Sequence, residues 1–266
     1  MLKKRATETV PAEEMLPREM TGIRCDVIEA CYSLGGSPRE PCEPLEPGVS
    51  IGNSSRPSGG TLGLLVWDKQ RSRRAILSNW HVLCGSPAAV AGDGLTQPAS
   101  PFLGTRPPRI VGHLERWLPL NIGLDAAIGF VDDGFAIRQA GFGSDQAITG
   151  ISPPRLGMKV MKFGAVSGLT HAEVEGVGGA YEIDYSGYGD QKRWMDGIRL
   201  VQDTEMAEPE ITLSGDSGSA WIDAKTGFAV ALHFAGEDGL GPTAEYALAQ
   251  PLPRVMELLD IEFLKP

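Results

Sequence analysis

The sequence predicts an all-β protein, and three observations carry that expectation. The 34 glycines and 20 prolines are spread along 266 residues rather than gathered in a repeat, which suits many short strands joined by tight turns. Short apolar runs bounded by turn residues recur from residue 61 to residue 234. Helical spacing is confined to the C-terminal stretch, so nothing supports a parallel α/β sheet. At 42% hydrophobic and 22% charged, the chain has the composition of a globular protein long enough for one large core or two small ones.

The elements follow in chain order. Residues 1–22 are polar, contain Pro11 and Pro17, and read as a tail leading into a docked strand over Ile23–Glu29. Residues 33–60, rich in Gly, Pro and Ser, read as a loop-like approach that wraps the surface. Thr61–Trp67 and Ala75–Asn79, separated by the charged turn Asp68–Arg74, form a β-hairpin. A Pro/Gly-rich excursion over about 85–108 precedes strands at Arg109–Trp117 and Ala126–Val131, which complete a first half at 23–140. The polar, Pro/Gly-rich stretch 141–156 reads as a linker. A second half, 157–252, carries strands at Met158–Gly164, Ala172–Val177, Gly197–Val201, Ser219–Ile222 and Phe228–Phe234. Leu252, Val255, Met256 and Leu259 recur at three- and four-residue intervals, which predicts a short amphipathic helix within 253–266.

Charge and cysteine usage narrow the function classes. A net charge of −10 argues against a general nucleic-acid or anionic-membrane role, because phosphate binding is driven by Lys and Arg. The runs Lys3-Lys4-Arg5 and Arg71-Ser72-Arg73-Arg74 are short and read as a solvated tail and a hairpin turn. The first residues lack an apolar stretch, and no segment approaches the roughly 18 apolar residues of a membrane span. The expectation is a soluble, unexported, cytoplasmic protein. Cys25, Cys31, Cys42 and Cys84 fit reduced thiols, although a disulfide among them stays open. The gaps between Cys25, Cys31 and Cys42 are irregular, with no CxxC and no nearby His, so no metal or cofactor is expected.

Three short pieces carry chemistry. Ser214-Gly215-Asp216-Ser217-Gly218-Ser219 places a serine between glycines, which permit the backbone angles that point successive N–H groups into one hole. Read alone, it is also an ordinary turn between strands. Ser78-Asn79-Trp80-His81-Val82-Leu83 ends a buried strand on a histidine, where a rigid scaffold presents a general base. Leu124-Asp125-Ala126-Ala127-Ile128 puts a carboxylate before an apolar strand, and a buried carboxylate needs a partner such as an imidazole N–H. The order is His, Asp, Ser, with separations of 44 positions between the first two and 92 between the last two.

In that order and strand context the chain resembles the chymotrypsin/trypsin superfamily of serine proteases. Leu16–Gly22, Pro47–Gly52, Gly60–Gly63, Leu77–Asn79, Lys162–Gly164 and Leu232–Gly236 are similar to the narrow-leaf type known from plants, with its bacterial relatives, from about residue 16 onward. Two departures are Ala165-Val166-Ser167-Gly168 in place of a threonine-rich turn, and His233 before Phe234. The resemblance implies two six-stranded antiparallel β-barrels and a serine endopeptidase. His81 would be the base, Asp125 its orienting acid and Ser217 the nucleophile, with Gly215 and Ser217 N–H forming the oxyanion hole.

By the superfamily pattern Ile211, six residues before the nucleophile, is the base of the pocket for the P1 residue, and Phe234, Ala235 and Gly236 are its walls. This implies a small or aliphatic P1, unless Glu237, Asp238 or Glu245 reaches in from the rim. His233 reads as a packed or pocket-lining residue, with a second reading as a group that orients Asp125. His113 and His171 read as structural. In the superfamily the residue before the nucleophile, here Asp216, pairs with a newly cut N-terminus. The polar start argues against that route and points to control by a protein partner or a homo-oligomer. The expected partner is a protein or peptide substrate. Two competing readings are a catalytically silent peptide-binding scaffold with the protease fold, and an esterase using the same three residues.

Overall fold

The computed structural model describes residues 37–56, 58–99, 107–206, 210–236 and 246–265, and of the earlier chain the backbone of two short strands. Those two, β1 (Glu19–Met20) and β2 (Ile23–Arg24), pair antiparallel with Met20 opposite Ile23. They belong to a unit of residues 1–35, and residues 36–266 form a second unit. β1 falls in the stretch expected as a tail, and β2 begins the expected strand. Cys25 and Cys31 lie outside the described residues, as do Glu237, Asp238 and Glu245.

The second unit holds two sheets. The first contains β3 (Ser50–Asn53), β4 (Gly60–Thr61), β5 (Leu64–Asp68), β6 (Arg73–Ser78), β7 (Gly94–Gln97), β8 (Arg109–Trp117), β9 (Ala127–Val131) and, from the chain end, β17 (Ile261–Phe263). The second contains β10 (Gly150–Ile151), β11 (Lys159–Gly164), β12 (Gly168–Asp184), β13 (Lys192–Gln202), β14 (Ala220–Asp223), β15 (Phe228–Gly236) and β16 (Tyr246–Pro251). Among the described residues the unit also has two α-helices, α1 (Trp80–Leu83) after β6 and α2 (Leu252–Leu259) before β17.

In the second sheet six strands form a ring, β11–β12–β13–β16–β15–β14 and back to β11, all antiparallel. β10, within the expected linker, adds a parallel pairing to β15. The first sheet differs from the expected closed six-stranded barrel. It is an eight-stranded order, β17-β5-β6-β9-β8-β7-β3-β4, with edges at β17 and β4. The chain itself spans the gap from β4 to β5: the Leu62 N–H bonds to the Val49 carbonyl and the Gly63 N–H to the Leu77 carbonyl.

Burial explains why several strands lack a polar alternation. On β5, Leu65 enters one cluster with Ile51, Ile76 and Val111, whereas Leu64 and Val66 face a second cluster with Met161, Ile222 and Leu232. That second cluster lies between the two sheets, so strands bordering it are buried on both faces. A third cluster, with Val160, Leu200, Trp221 and Val230, draws its strand residues from the second sheet. The expected helical residues Leu252, Val255, Met256 and Leu259 are the buried face of α2 and seal the inter-sheet cluster.

Two expectations change. The stretch 33–60, read as a surface loop, contributes strand β3 and fully buried Leu45, Val49 and Ile51. Its Gly/Pro content marks turns at both ends of a core segment. The chain end is not helical to residue 266, because Asp260 adopts a left-handed φ of 51° after α2 and the chain turns into β17 on the edge of β5. Arg116 locks that return, donating to both oxygens of Asp68 at 2.7 Å and to the Leu259 carbonyl.

Candidate active site

His81 stands on α1, directly after the last residues of β6. The helix holds only Trp80–Leu83, all buried, and begins where Asn79 turns the chain out of the strand. The Asn79 carbonyl accepts the Leu83 N–H, and its side-chain amide donates to the Asp125 carbonyl at 2.8 Å. That second bond ties the segment bearing His81 to the segment bearing Asp125. Asp125 is fully buried, and His81 is 5% exposed. His81 Nδ1 lies 2.5 Å from Asp125 Oδ2, and the His81 backbone N–H donates to Oδ1 at 3.2 Å. A buried carboxylate held by an imidazole and a backbone donor has its charge compensated and its rotation fixed.

Ser217 lies on the loop between Ile211 and β14, and a set of cross-links holds that loop against β4. The Thr61 N–H donates to the Ser217 carbonyl at 2.8 Å, and Thr61 Oγ1 donates to the Gly215 carbonyl at 2.9 Å. The Gly218 N–H donates to the His233 carbonyl at 2.9 Å. Gly215 and Gly218 have φ of 105° and 94°, a region where a side chain is strained. At Gly218 a Cβ would also strike Ser78 Oγ and the Thr61 carbonyl, so the backbone beside Ser217 is closely packed against β6 and β4. The same holds at Gly60, where a Cβ would meet both the Ser217 carbonyl and the Val82 side chain. That close approach brings the Ser217 loop and the His81 helix together. Among the described residues, the N–H groups of Gly215 and Ser217 and the Ser217 hydroxyl make no hydrogen bond.

The shape of the loop depends on a buried ion pair. Lys162 on β11 and Asp216 both have fully buried side chains, with Lys162 Nζ 2.8 Å from Asp216 Oδ2. Asp216 also accepts the N–H groups of Leu213, Val166 and Ser167 at 2.9–3.0 Å, and Lys162 donates to Ser167 Oγ at 2.8 Å. The Ala165–Gly168 turn, which departs from the resembled pattern, is therefore the part of the chain that grips Asp216. Burial alone would push the Asp216 carboxyl up; the Lys162 ammonium and the N–H donors overcome it and hold the carboxyl down at about 2. In this structure Lys162 supplies the cation that an N-terminal amine was considered for.

The residues expected to line the P1 pocket divide. Ile211 is fully buried in the third core cluster with Val160, Trp221 and Val230. Its neighbour Thr212 meets His233 instead, Oγ1 to Nε2 at 2.7 Å, and a Cβ on Gly236 would touch Thr212 Cγ2. Phe234 is 4% exposed and packs in the first cluster, and Ala235 lies against it. His233 makes no hydrogen bond to Asp125. Burial and then the nearby Lys162 ammonium push its imidazole down to about 3, so it is neutral near neutral pH. His113, read as structural, has Nδ1 3.0 Å from Asp132 Oδ1 at the surface.

Sequence reasoning missed two side chains of this site. Tyr185 and Tyr188 lie in the tip between β12 and β13, where Asp184-Tyr185-Ser186-Gly187-Tyr188-Gly189-Asp190 has the composition of a plain turn. Tyr185 Oη donates to Asp125 Oδ2 at 2.8 Å, and the Tyr188 ring centre is 5.1 Å from that of His81. The tip carries no sequence signal for this role, because it reaches the first sheet only in the folded chain. Cys42 and Cys84 are free thiols, and no group of metal-ligating side chains occurs among the described residues. No helix among them is long and apolar enough to cross a membrane.

No protein-family model matches the chain, and no curated protein matches it in sequence. Solved structures do. Chymotrypsin from Cellulomonas bogoriensis superposes with a TM-score of 0.58 at 14% identity, covering 84% of this chain and all of the other. A glutamic-acid-specific serine protease that uses a histidine triad in substrate binding gives 0.58 at 20% identity, over 83% of this chain and all of the other. Protease A of Thermobifida fusca gives 0.57 at 15% identity, over 84% and 100%. At these identities the likeness concerns architecture. The curled first sheet, the six-stranded ring and these superpositions together show that the chain has the chymotrypsin fold, the one carried by these bacterial serine proteases.

Proposed function

We propose that the protein is a serine endopeptidase that cleaves protein substrates through an acyl-enzyme, with Ser217 as nucleophile, His81 as general base and Asp125 as the group that fixes the imidazole. The observation that carries this reading is the buried His81–Asp125 pair, with His81 on a helix that meets the glycine-flanked Ser217 loop across Gly60 and the Gly215 and Ser217 N–H groups making no hydrogen bond among the described residues. His81 takes the Ser217 proton as its oxygen attacks the peptide carbonyl, and the two N–H groups hold the oxyanion. The imidazolium, stabilised by Asp125, then protonates the leaving amine, and a water repeats the sequence to release the acid. No hydrogen bond joins Ser217 to His81, and such contacts commonly tighten only when substrate is bound. Ser217→Ala is expected to abolish labelling by a fluorophosphonate and all peptide turnover; labelling that persists in the variant overturns the assignment.

The pocket supports two P1 readings. Ile211, by its spacing from Ser217, favours a small or aliphatic P1. The Thr212–His233 pair, beside Gly236, favours a P1 side chain ending in a hydrogen-bonding group, glutamate or glutamine. We favour the second, because the Ile211 side chain is committed to the core. Specificity for glutamic acid in a protease of the same fold agrees with it, although this chain brings one histidine, not three, to Thr212. A peptide library varied at P1 decides: preferred Glu or Gln supports the polar pair, and preferred Ala or Val restores the Ile211 reading. With Lys162 already serving Asp216, we also propose that activity needs no newly cut N-terminus and is controlled by a partner or by self-association.

A further inference from the structure

We propose that Tyr185 is a positioning residue for the Asp125–His81 pair, carried to it from the second sheet by the β12–β13 ribbon. The inference rests on the serine-peptidase reading above and extends it to a group outside the three expected residues.

The ribbon is an outgrowth of the ring. β12 pairs with β11 only as far as Glu173, and β13 pairs with β16 only from Ile198 onward. Between those points and the tip, from Gly179 opposite Gly197 to Asp184 opposite Lys192, the two strands pair only with each other. Register shifts between Val174 and Gly176 and between Gly176 and Gly179 bend the ribbon where it leaves the ring. The ribbon then crosses to the first sheet. The Asp196 N–H donates to the Gly123 carbonyl at 2.8 Å, Gly189 abuts Pro87, and Met195, Ile183 and Tyr188 join the core cluster of that sheet.

At the tip Tyr185 is 2% exposed and packs edge-on to Trp80, with ring centres 6.3 Å apart. Its hydroxyl donates to Asp125 Oδ2, the same oxygen that faces His81 Nδ1. Burial, and then the Asp125 charge, push the phenol far above its usual range, so it stays protonated and can act there only as a donor. Two donors on one oxygen, with the His81 backbone N–H on the other, leave the carboxylate a single orientation. An oriented Asp125 fixes the His81 tautomer that a general base requires. The other titratable groups around the pair are Tyr188 against the imidazole, Cys84 at the end of α1, whose thiol burial and then Asp125 push up, Asp190 of the tip, and His233, which feels the charge of His81.

Tyr185→Phe keeps the ring and its packing on Trp80 and removes only the hydroxyl. The full-length protein and the variant are compared by fluorophosphonate labelling rate, by the pH profile of kcat/KM, and by the low-field proton resonance of the His81–Asp125 hydrogen bond. The expected result is labelling slowed about tenfold, the acid limb of the profile moved to higher pH because Asp125 pairs more strongly with the imidazolium, and a shifted resonance. A purely packing role would leave the limb and the resonance in place. If the wild type labels and the variant matches it in rate, limb and resonance, the proposal is overturned. If the wild type itself does not label, the peptidase reading fails. The resonance then decides alone: a shift in Tyr185→Phe upholds the positioning contact, and no shift overturns it.

Discussion

Lys162→Met tests whether the buried ion pair holds the proposed oxyanion loop together. The substitution is close in volume and removes one charge from a site where both side chains are fully buried. Breaking a buried pair by removing one partner costs about 3–5 kcal/mol, because the remaining charge is left uncompensated. Asp216 keeps the N–H groups of Leu213, Val166 and Ser167, which places the expected loss near the low end, about 3 kcal/mol. For a unit of this size that corresponds to a fall in Tm of about 6–12 °C. The pH dependence has a definite sign. The folded Asp216 carboxyl lies at about 2, below its ordinary 3.8, so its contribution is present above 3.8 and disappears as the pH falls through about 2. In the variant that acid loss begins at higher pH. Because Asp216 is also the anchor for the turn preceding Gly215 and Ser217, loosening it is expected to slow fluorophosphonate labelling about a hundredfold, the cost of misplacing one oxyanion donor. Urea unfolding across pH, together with labelling kinetics, measures both effects. A variant within about 0.5 kcal/mol of wild type that labels at the wild-type rate would refute the argument that this pair shapes the site.

Two further predictions follow from the geometry of the same site. Asp125→Asn keeps the shape but lets the imidazole take the wrong tautomer, so kcat toward a peptide substrate is expected to fall about 10⁴-fold with near-native stability; an unchanged kcat would remove Asp125 from the mechanism. Gly218→Ala forces a Cβ into Ser78 Oγ and the Thr61 carbonyl at a φ of 94°, and is expected to cost more than about 1 kcal/mol in urea unfolding and to abolish labelling. A stable, fully labelled Gly218→Ala protein would contradict the described loop.

The legible parts of the fold share a cause. β8 at Arg109–Trp117 was readable because Ile110, Val111 and Leu114 lie in a short run that follows a Pro/Gly-rich stretch, and the buried face of α2 because Leu252, Val255, Met256 and Leu259 recur at helical spacing. β3, β7 and β16 were not read. β7 lies in a Pro/Gly-rich excursion, and β3 in a stretch whose composition is that of a loop. Their strand character comes from neighbours in the sheet, β3 on β7 and β16 between β13 and β15. The site divides in the same way. The residues with intrinsic chemistry, His81, Asp125 and Ser217, stand out by type, order and flanking sequence. The groups that hold them, Thr61, Lys162 and Tyr185, are ordinary residues made significant by contact.

The sequence by itself determined the all-β class, the strands buried along continuous apolar runs, and the three side chains on which the proposed chemistry rests. These follow from local composition and from the side-chain chemistry each residue carries wherever it is placed. Only the tertiary structure decided that Lys162 faces Asp216, that Thr212 rather than Ile211 meets His233, and that a ribbon from the second sheet sets Tyr185 on Asp125. Those pairings join residues 54, 21 and 60 positions apart. No local preference selects them; they arise when burial of the inter-sheet core brings the two sheets together, where a buried polar group without a partner is costly.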